Sequence, residues 1–285
     1  MKDVIISVES TSDLTPELLK KYDIRVIPMV FYVDDVEYGA GDSTMTTETF
    51  YNKMKAGSKT STSQVNQYMA REFFENLLKE GKDILHLSFS SGLSGTCNVV
   101  KTVAEELNKT NKNQIRVVDT LSAAAGQGLY AIIMAEKKNE FNSLDEMVEY
   151  AETIKQNICH LFVVDSLKYL ARTGRVSKAT ALIGSALQIK PVLHCDNNGL
   201  LTSMAKVISR KKSIKALAEK MLERKNDISN KVIIAHANCI EDAKLLEDML
   251  KEKIKDEILL IDLGCVIGCH AGPGTLALFF TGNER

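Results

Sequence analysis

Three polar segments of the chain contain groups that could bind or transform a small molecule. SSGLSGT, residues 90–96, supplies four hydroxyls and two glycines directly after an apolar run. KTSTSQ, residues 59–64, is dense in hydroxyls, and GCHAGPGT, residues 268–275, contains His270, one of five histidines. Hydroxyls donate hydrogen bonds and glycines let a ligand approach the backbone closely, so these segments could together bind an anionic group.

The segment at 90–96 lies between a predicted strand at 83–89 and a predicted helix at 97–107. Helix N-termini carry unpaired N–H groups and a partial positive charge, and ligands of open α/β sheets bind at the carboxyl ends of strands. This position favours an anion-binding loop. On local grounds, a capping loop in which the same hydroxyls only complete the helix start is an equally good interpretation.

The sequence lacks the motifs of common nucleotide-binding and serine-hydrolase sites. The P-loop lysine is absent, and the spacing of Gly92 and Gly95 is not that of a dinucleotide-binding loop. A hydrolase elbow reads G-x-S-x-G, whereas this segment has Thr96 in the last position. We therefore expect no cofactor, and we expect Ser94 to donate hydrogen bonds rather than to attack a carbonyl.

Cys265, Cys269 and His270 form the only grouping that resembles a metal site. A structural zinc ion normally takes four suitably spaced ligands, and the six cysteines of the chain include no C-x-x-C pair. We expect reduced thiols and no metal. We also predict that residues 59–64 lead into a helix at 66–81, and that His270 lies in a glycine-proline bend.

Alternating strand-like and helix-like patterns predict an α/β fold of two domains, residues 1–157 and 158–285. In the first domain, the pattern predicts a mainly parallel sheet from strands at 4–8, 24–33, 83–89 and 115–120. In the second, it predicts a mixed sheet with a hairpin turn at 195–199. The strands of the second domain are predicted at 160–164, 190–194, 200–207, 231–236, 257–262 and 275–280.

Composition and charge restrict the class of protein. The chain has 285 residues, 45% of them hydrophobic, which is enough for two domains with substantial cores. Lys and Arg total 36 against 37 Asp and Glu, a net charge of -1, which argues against a protein that coats nucleic acid. The N-terminus does not resemble a secretory signal, and apolar runs such as LALFF at 276–280 are too short to span a bilayer. We expect a soluble, cytoplasmic protein.

Seven landmarks in chain order resemble the DegV family, the fatty-acid-binding subunits of bacterial fatty acid kinase systems. These landmarks are STSDLTPE at 10–17, TSQ at 62–64, SSGLSGTCN at 90–98, VVDTLSAAAGQGL at 117–129, LKYLARTGRVSKA at 167–179, LQIKPVL at 187–193 and HAGPGTLALFF at 270–280. Because they extend over nearly the whole chain, the resemblance is far more specific than any single landmark.

The resemblance implies that two α/β domains hold a long-chain fatty acid between them. The residues that would bind its carboxylate carry over onto Thr62, Ser94 and His270, with backbone N–H groups around Ser94 and Gly95. Arg172 and Arg175 are implied to contact a kinase or the transferred phosphate, a role that suits guanidinium groups. The sequence does not decide which of the two arginines does so.

Small residues in two predicted helices could leave room for the acyl chain. They lie in SAAAGQGLYAIIMA at 122–135 and in SKATALIGSALQI at 177–189. For each segment, close helix packing in the core is the alternative interpretation.

The resemblance therefore predicts a non-catalytic lipid carrier. It would present the carboxylate to a separate ATP-dependent fatty acid kinase and hold the acyl phosphate for lipid synthesis. We expect no nucleic-acid partner, and transient contact with a membrane is compatible with this role. A hydrolase or phosphotransfer enzyme that uses Ser94 or His270 as nucleophile is the main alternative. A regulatory DNA-binding protein is disfavoured by the neutral charge.

The chain departs from the family pattern at three positions. Val65 and Asn66 stand where family members often have proline and then serine, and this change could shift the loop that holds Thr62. Glu9 stands where aspartate is common, and we expect little effect from it.

Overall fold

The computed structural model describes residues 4–39, 45–176 and 189–285. Its strands are β1 (Val4–Glu9), β2 (Ile24–Ile27), β3 (Val30–Val33), β4 (Val36–Gly39), β5 (Thr60–Ser63), β6 (Asp83–Ser88), β7 (Ile115–Asp119), β8 (Ile158–Val163), β9 (Ile189–Cys195), β10 (Leu201–Ile208), β11 (Lys231–His236), β12 (Glu257–Asp262) and β13 (Leu276–Thr281). Its α-helices are α1 (Pro16–Tyr22), α2 (Thr47–Lys55), α3 (Gln67–Leu78), α4 (Thr96–Asn108), α5 (Ala125–Lys137), α6 (Leu144–Ile154), α7 (Lys168–Arg172), α8 (Arg210–Arg224), α9 (Ile240–Leu250) and α10 (Cys265–Ala271).

The first sheet has the strand order β2-β1-β6-β7, and all its pairs are parallel. Every residue of β1 is buried, as expected for a parallel strand covered on both faces. This arrangement confirms the predicted parallel sheet, but the strand predicted at 24–33 is two strands, and the second of them, β3, lies outside this sheet. The SSGLSGT loop follows β6, at the carboxyl edge of this sheet.

The second sheet has the strand order β10-β9-β8-β13-β11-β12. Only β11 and β12 pair in parallel, and the other pairs are antiparallel. The predicted mixed sheet is therefore confirmed, and the turn between β9 and β10 closes with a hydrogen bond from Gly199 N–H to Asp196 O. The division into domains at residues 157 and 158 stays a prediction.

A third sheet of strand order β4-β3-β5, antiparallel throughout, was not predicted. The expectation that residues 59–64 form a helix entry is wrong: Thr60–Ser63 is strand β5, and α3 begins only after Asn66, whose side chain accepts a hydrogen bond from Met69 N–H at 2.9 Å. Threonine is favoured in strands, and this preference depends on packing against residues of a neighbouring strand. That neighbouring strand is β3, in which Phe31 pairs with Thr62.

Helix α5 packs against both large sheets, since it contacts β1 and β6 on one side and β8, β11 and β13 on the other. Gly126 and Gly128 of this helix allow neighbouring residues to pack closely against it. A Cβ on Gly126 would lie 2.1 Å from His160 Nε2, and one on Gly128 would lie 2.5 Å from Ser12 O. The second small-residue segment, 177–189, lies outside the described residues apart from Ile189, the first residue of β9.

None of the helices in the described ranges combines the length and apolar character that a bilayer-spanning segment needs.

Candidate ligand-binding site

A cavity of about 360 Å³ lies between the two large sheets, a size within the range of roughly 300–1,000 Å³ that is usual for small-molecule sites. Most of its wall is apolar, and the polar residues concentrate in a few places. The apolar lining residues are Met29, Phe89, Leu93, Ala123, Ala124, Phe162, Leu170, Leu201, Leu263, Val266, Ile267, Ala271 and Phe279. The other lining residues are Thr11, Thr62, Gln64, Ser94, Gly95, His160, Arg175, His270 and Thr275.

The structure brings together all four residues predicted to bind a carboxylate. Thr62 comes from β5, Ser94 and Gly95 from the loop before α4, and His270 from α10, and all four line the same cavity. The prediction that His270 lies in a glycine-proline bend is wrong, because it lies in the last turn of α10 and the bend follows it. Gly272 begins that bend with a φ of +81°, a conformation that favours glycine.

Thr62 and His270 are hydrogen-bonded to each other, with 2.9 Å between Thr62 Oγ1 and His270 Nε2. Burial lowers the pKa of His270 to about 4, and the positive charges of Arg175 and Arg172 contribute further. The imidazole is therefore neutral near pH 7. Its Nδ1 atom is buried and has no hydrogen-bond partner among the described residues, so Nε2 is the polar atom of the ring that contacts this site.

Ser94 is tied to the start of α4 rather than to a histidine. Its Oγ accepts a hydrogen bond from Thr96 N–H at 3.2 Å, and its O–H donates to Thr96 Oγ1 at 3.0 Å. Thr96 Oγ1 in turn accepts a hydrogen bond from Val65 N–H at 3.2 Å. Among the described residues no base contacts Ser94, and a nucleophilic serine needs such a base. This geometry supports hydrogen-bond donation by Ser94.

The two arginines of the ARTGRV segment have different surroundings. Arg172 Nη2 donates to Thr60 O and Thr60 Oγ1, both at 3.2 Å, and to Cys269 O at 3.4 Å, and Arg172 does not line the cavity. Arg172 therefore joins α7 to the segments that carry Thr62 and His270. Arg175 lines the cavity, is exposed, and donates a hydrogen bond to Thr173 O.

Gln64 is a cavity-lining residue that the sequence reasoning did not select. Its side chain is exposed and lies against the backbone of Gly95, where a Cβ would be only 2.4 Å from Gln64 Oε1. A side chain at position 95 would displace the amide end of Gln64 from this contact. Gln64 belongs to the TSQ landmark together with Thr62, and this proximity in the sequence could have identified it as a residue of the site.

His160 also lines the cavity, and nothing in the sequence distinguished it from a core histidine. Its Nδ1 lies 3.0 Å from Ile158 O, and its Nε2 accepts a hydrogen bond from Ala123 N–H at 3.1 Å. Burial lowers the pKa of this ring well below its usual value, with a further contribution from Arg285. His160 is therefore a neutral ring that holds the Ala123 backbone in place.

A buried polar network supports the loop that carries Ser94. Glu9 is fully buried and accepts hydrogen bonds from the Ser88 hydroxyl at 2.6 Å, from Phe89 N–H at 3.0 Å and from the Gln127 amide. Burial alone would raise the pKa of Glu9, but His86 and the hydrogen bonds from Ser88 and Phe89 outweigh burial and lower it. The ionised carboxylate thereby fixes the end of β6.

The described residues contain no group of three or more His, Cys, Asp or Glu side chains that could hold a metal ion. Burial raises the pKa of both Cys265 and Cys269 to about 12, so each thiol keeps its proton at neutral pH. Cys269 Sγ lies 3.5 Å from Ser61 O.

Comparison with known proteins identifies the relatives of this chain. The profile of a family described as "Uncharacterised protein, DegV family COG1307" matches residues 3–283. A DegV domain-containing protein of Clostridium perfringens is 42% identical over 289 residues, which cover 100% of this chain and 99% of that protein.

Two solved structures extend the comparison to the fold. A Bacillus subtilis protein described as DegV, a fatty acid binding protein, has a TM-score of 0.85 and 28% identity, covering 99% of this chain and 100% of that chain. A Thermotoga maritima protein whose structure is described as revealing a fatty acid binding function has a TM-score of 0.83 and 29% identity, with the same coverage.

Proposed function

This chain belongs to the DegV family, and from that premise we propose that it binds a long-chain fatty acid in the cavity between its two large sheets. The observation that carries the proposal is the convergence of Thr62, Ser94, Gly95 and His270 at the wall of an otherwise largely apolar cavity. The fatty acid binding described for the Bacillus subtilis and Thermotoga maritima relatives supports it.

The polar residues match the needs of a carboxylate that leaves water. A buried, unpaired carboxylate is very costly, and both its oxygens accept several hydrogen bonds. The hydroxyls of Thr62 and Ser94 and the backbone N–H at Gly95 can supply donors. We call Thr62, Ser94, Gly95 and His270 the head-group site.

The apolar lining matches the needs of the acyl chain. Each buried methylene contributes about 0.8 kcal/mol, so a sixteen-carbon chain could contribute roughly 10 kcal/mol before ordering costs. This contribution supplies most of the affinity, and the head-group site supplies the orientation. No cofactor is needed for either.

We further propose that the protein presents the carboxylate to a separate ATP-dependent fatty acid kinase and then carries the acyl phosphate. The exposure of Gly95, Gln64 and Arg175 supports a head-group site that a partner can reach. Of the two arginines, Arg175 is the better candidate for contact with the kinase or the phosphate, because Arg172 already donates to Thr60 and Cys269. The protein itself would not catalyse the transfer.

Ligand extraction and binding measurements test the proposal. Mass spectrometry of the protein purified from a bacterial host should detect a long-chain fatty acid, and the delipidated protein should bind one with micromolar affinity or better. Ser94→Ala should lose about tenfold in affinity, because it removes a hydrogen bond to a charged group.

Ser91→Ala is the matched control, since Ser91 is exposed in the same loop and does not line the cavity. Wild-type protein that neither carries nor binds a fatty acid would refute the proposed function. Equal affinities of the Ser94→Ala and Ser91→Ala variants would refute the head-group assignment alone.

A further inference from the structure

We propose that Thr96 is a positioning residue of the head-group site. Its hydroxyl, held by Val65 N–H, donates to Ser94 Oγ and so turns the Ser94 O–H toward the bound carboxylate. This inference rests on the proposed function and adds to it a residue that does not touch the ligand.

Hydrogen bonds of Thr96 link the Val65 N–H to the Ser94 hydroxyl. Thr96 is completely buried and does not line the cavity. Its Oγ1 accepts the hydrogen bond from Val65 N–H at 3.2 Å and lies 3.0 Å from Ser94 Oγ, while Thr96 N–H donates to Ser94 Oγ at 3.2 Å. Thr96 therefore contacts Ser94 through both its hydroxyl and its backbone.

The direction of the bond between the two hydroxyls decides whether Ser94 can serve a carboxylate. An ionised carboxylate only accepts hydrogen bonds, so Ser94 must give it the single hydroxyl proton. Ser94 cannot then donate to Thr96, and the Thr96 hydroxyl must donate instead. Ser94 Oγ lies 3.0 Å from Thr96 Oγ1 and donates to it in this structure, so the proposed arrangement reverses the direction of this bond when the carboxylate binds.

With this direction, the Val65 N–H and the hydroxyls of Thr96 and Ser94 each have a hydrogen-bond partner. The two lone pairs of Ser94 Oγ accept the N–H and the O–H of Thr96, and the remaining Ser94 proton points to the ligand. Val65 N–H bound to Thr96 Oγ1 polarises the Thr96 hydroxyl, and hydrogen bonds in series strengthen one another. The final bond, to a charged acceptor, gains most from that polarisation.

Val65, which stands where family members often have proline, contributes its N–H to this arrangement. Proline has no N–H and could not make the bond to Thr96. Val65 is completely buried, so its N–H would otherwise lack a partner.

A comparison of an acidic with a neutral ligand tests the inference. Thr96→Val removes the hydroxyl and keeps the branched shape, and Thr96→Ser keeps the hydroxyl. We expect Thr96→Val to lose about tenfold in affinity for hexadecanoic acid and less than about threefold for hexadecanol, which has the same chain without the charge. Thr96→Ser should bind both ligands within about threefold of wild type.

A double-mutant cycle isolates the route through Ser94. In a Ser94→Ala background, Thr96→Val should cost no further affinity for the acid, because its effect requires the Ser94 hydroxyl. Val65→Pro removes the N–H whose hydrogen bond Thr96 Oγ1 accepts and leaves both hydroxyls in place, while the proline ring also fixes φ at position 65 and restricts Gln64. It should give a smaller but equally acid-selective loss, and it provides the test if Thr96→Val does not fold.

Three outcomes would overturn the inference: equal losses for acid and alcohol, full additivity in the cycle, or no loss at all. If wild-type protein binds the acid tightly and one of these occurs, only the role of Thr96 fails. If wild-type protein does not bind the acid, the proposed function fails together with it.

Discussion

At the scale of single residues, we predict that His270 determines how ligand binding responds to pH. Its ring is partly buried beside the Thr62 hydroxyl, and burial together with the charges of Arg175 and Arg172 lowers its pKa to about 4. A bound carboxylate reverses the balance of charge, because a negative group favours the imidazolium. Ligand binding should therefore raise the pKa of His270.

This coupling predicts that binding takes up protons. Because ligation raises this pKa from about 4, the contribution of the imidazolium to affinity falls as pH rises from about 4 to the ligated pKa and is absent above it. Between about pH 6 and pH 8 the ligand's own carboxyl stays ionised, since its pKa resembles that of glutamate. Calorimetric titration in buffers of different ionisation enthalpy measures the proton uptake.

His270→Gln is the control, because glutamine can donate a hydrogen bond but does not titrate. Its affinity should be independent of pH over this range. A wild-type protein with no proton uptake, or with the same uptake as His270→Gln, would show that the imidazole does not sense the ligand.

At the scale of elements, helix α5 fixes the distance between the two large sheets. It can lie between them because Gly126 leaves space for the ring of His160, a residue of β8. Backbone propensity alone would favour alanine over glycine in a helix by about 0.5–1 kcal/mol. Packing opposes this preference here, since an added methyl group would overlap the ring.

We predict that Gly126→Ala lowers the free energy of unfolding by about 1–3 kcal/mol, as overpacked core positions usually do. It should also weaken fatty acid binding, because His160 lines the cavity. Urea titration measures the stability. In a His160→Ala background the same substitution should cost nothing or should stabilise the protein, and an unchanged cost there would show that the ring is not the cause.

The β5 strand shows why an element can be mispredicted from its own sequence. The segment TSTS has no apolar alternation and lies near a helix start, so it resembles a capping region. Its strand conformation depends on pairing with β3, roughly thirty residues earlier in the chain. Local patterns do not contain that pairing.

At the scale of the whole molecule, the cavity lies between the sheets, so a bound ligand would contact both halves. The lining includes Leu93 and Ser94 beside the first sheet and Phe162 and Phe279 in the second. Anything that binds only the folded state stabilises it by mass action. The acyl chain would cover the apolar wall of the cavity, and this burial is part of the affinity that sets the size of the effect.

Loading should therefore raise the thermal stability of the delipidated protein. At a free ligand concentration one hundred times Kd, the gain is about 2.7 kcal/mol, or a rise of several degrees in Tm. Differential scanning calorimetry with and without hexadecanoic acid measures it. The Ser94→Ala variant should show a smaller rise at the same concentration, and an unchanged Tm for wild type would contradict binding in the cavity.

The sequence by itself determined the two large sheets and selected the residues that we propose as the head-group site. Buried parallel strands are nearly continuous apolar runs, and Thr62, Ser94 and His270 each lie within a short landmark that can be matched residue by residue. Gln64 and Val65 adjoin Thr62 in the sequence, but their contacts with Gly95 and Thr96 could not be inferred from it.

Only the tertiary structure decided which groups meet. Residue types specify what a side chain can donate or accept, whereas hydrogen bonds and charge effects depend on distances between segments far apart in the chain. The Thr62–His270 bond joins residues 208 positions apart. The tertiary structure likewise places the Arg172 guanidinium against Thr60 and Cys269 and places Arg175 at the cavity wall. Burial, which sets the low pKa of His270, likewise exists only once α10 has packed beside β5.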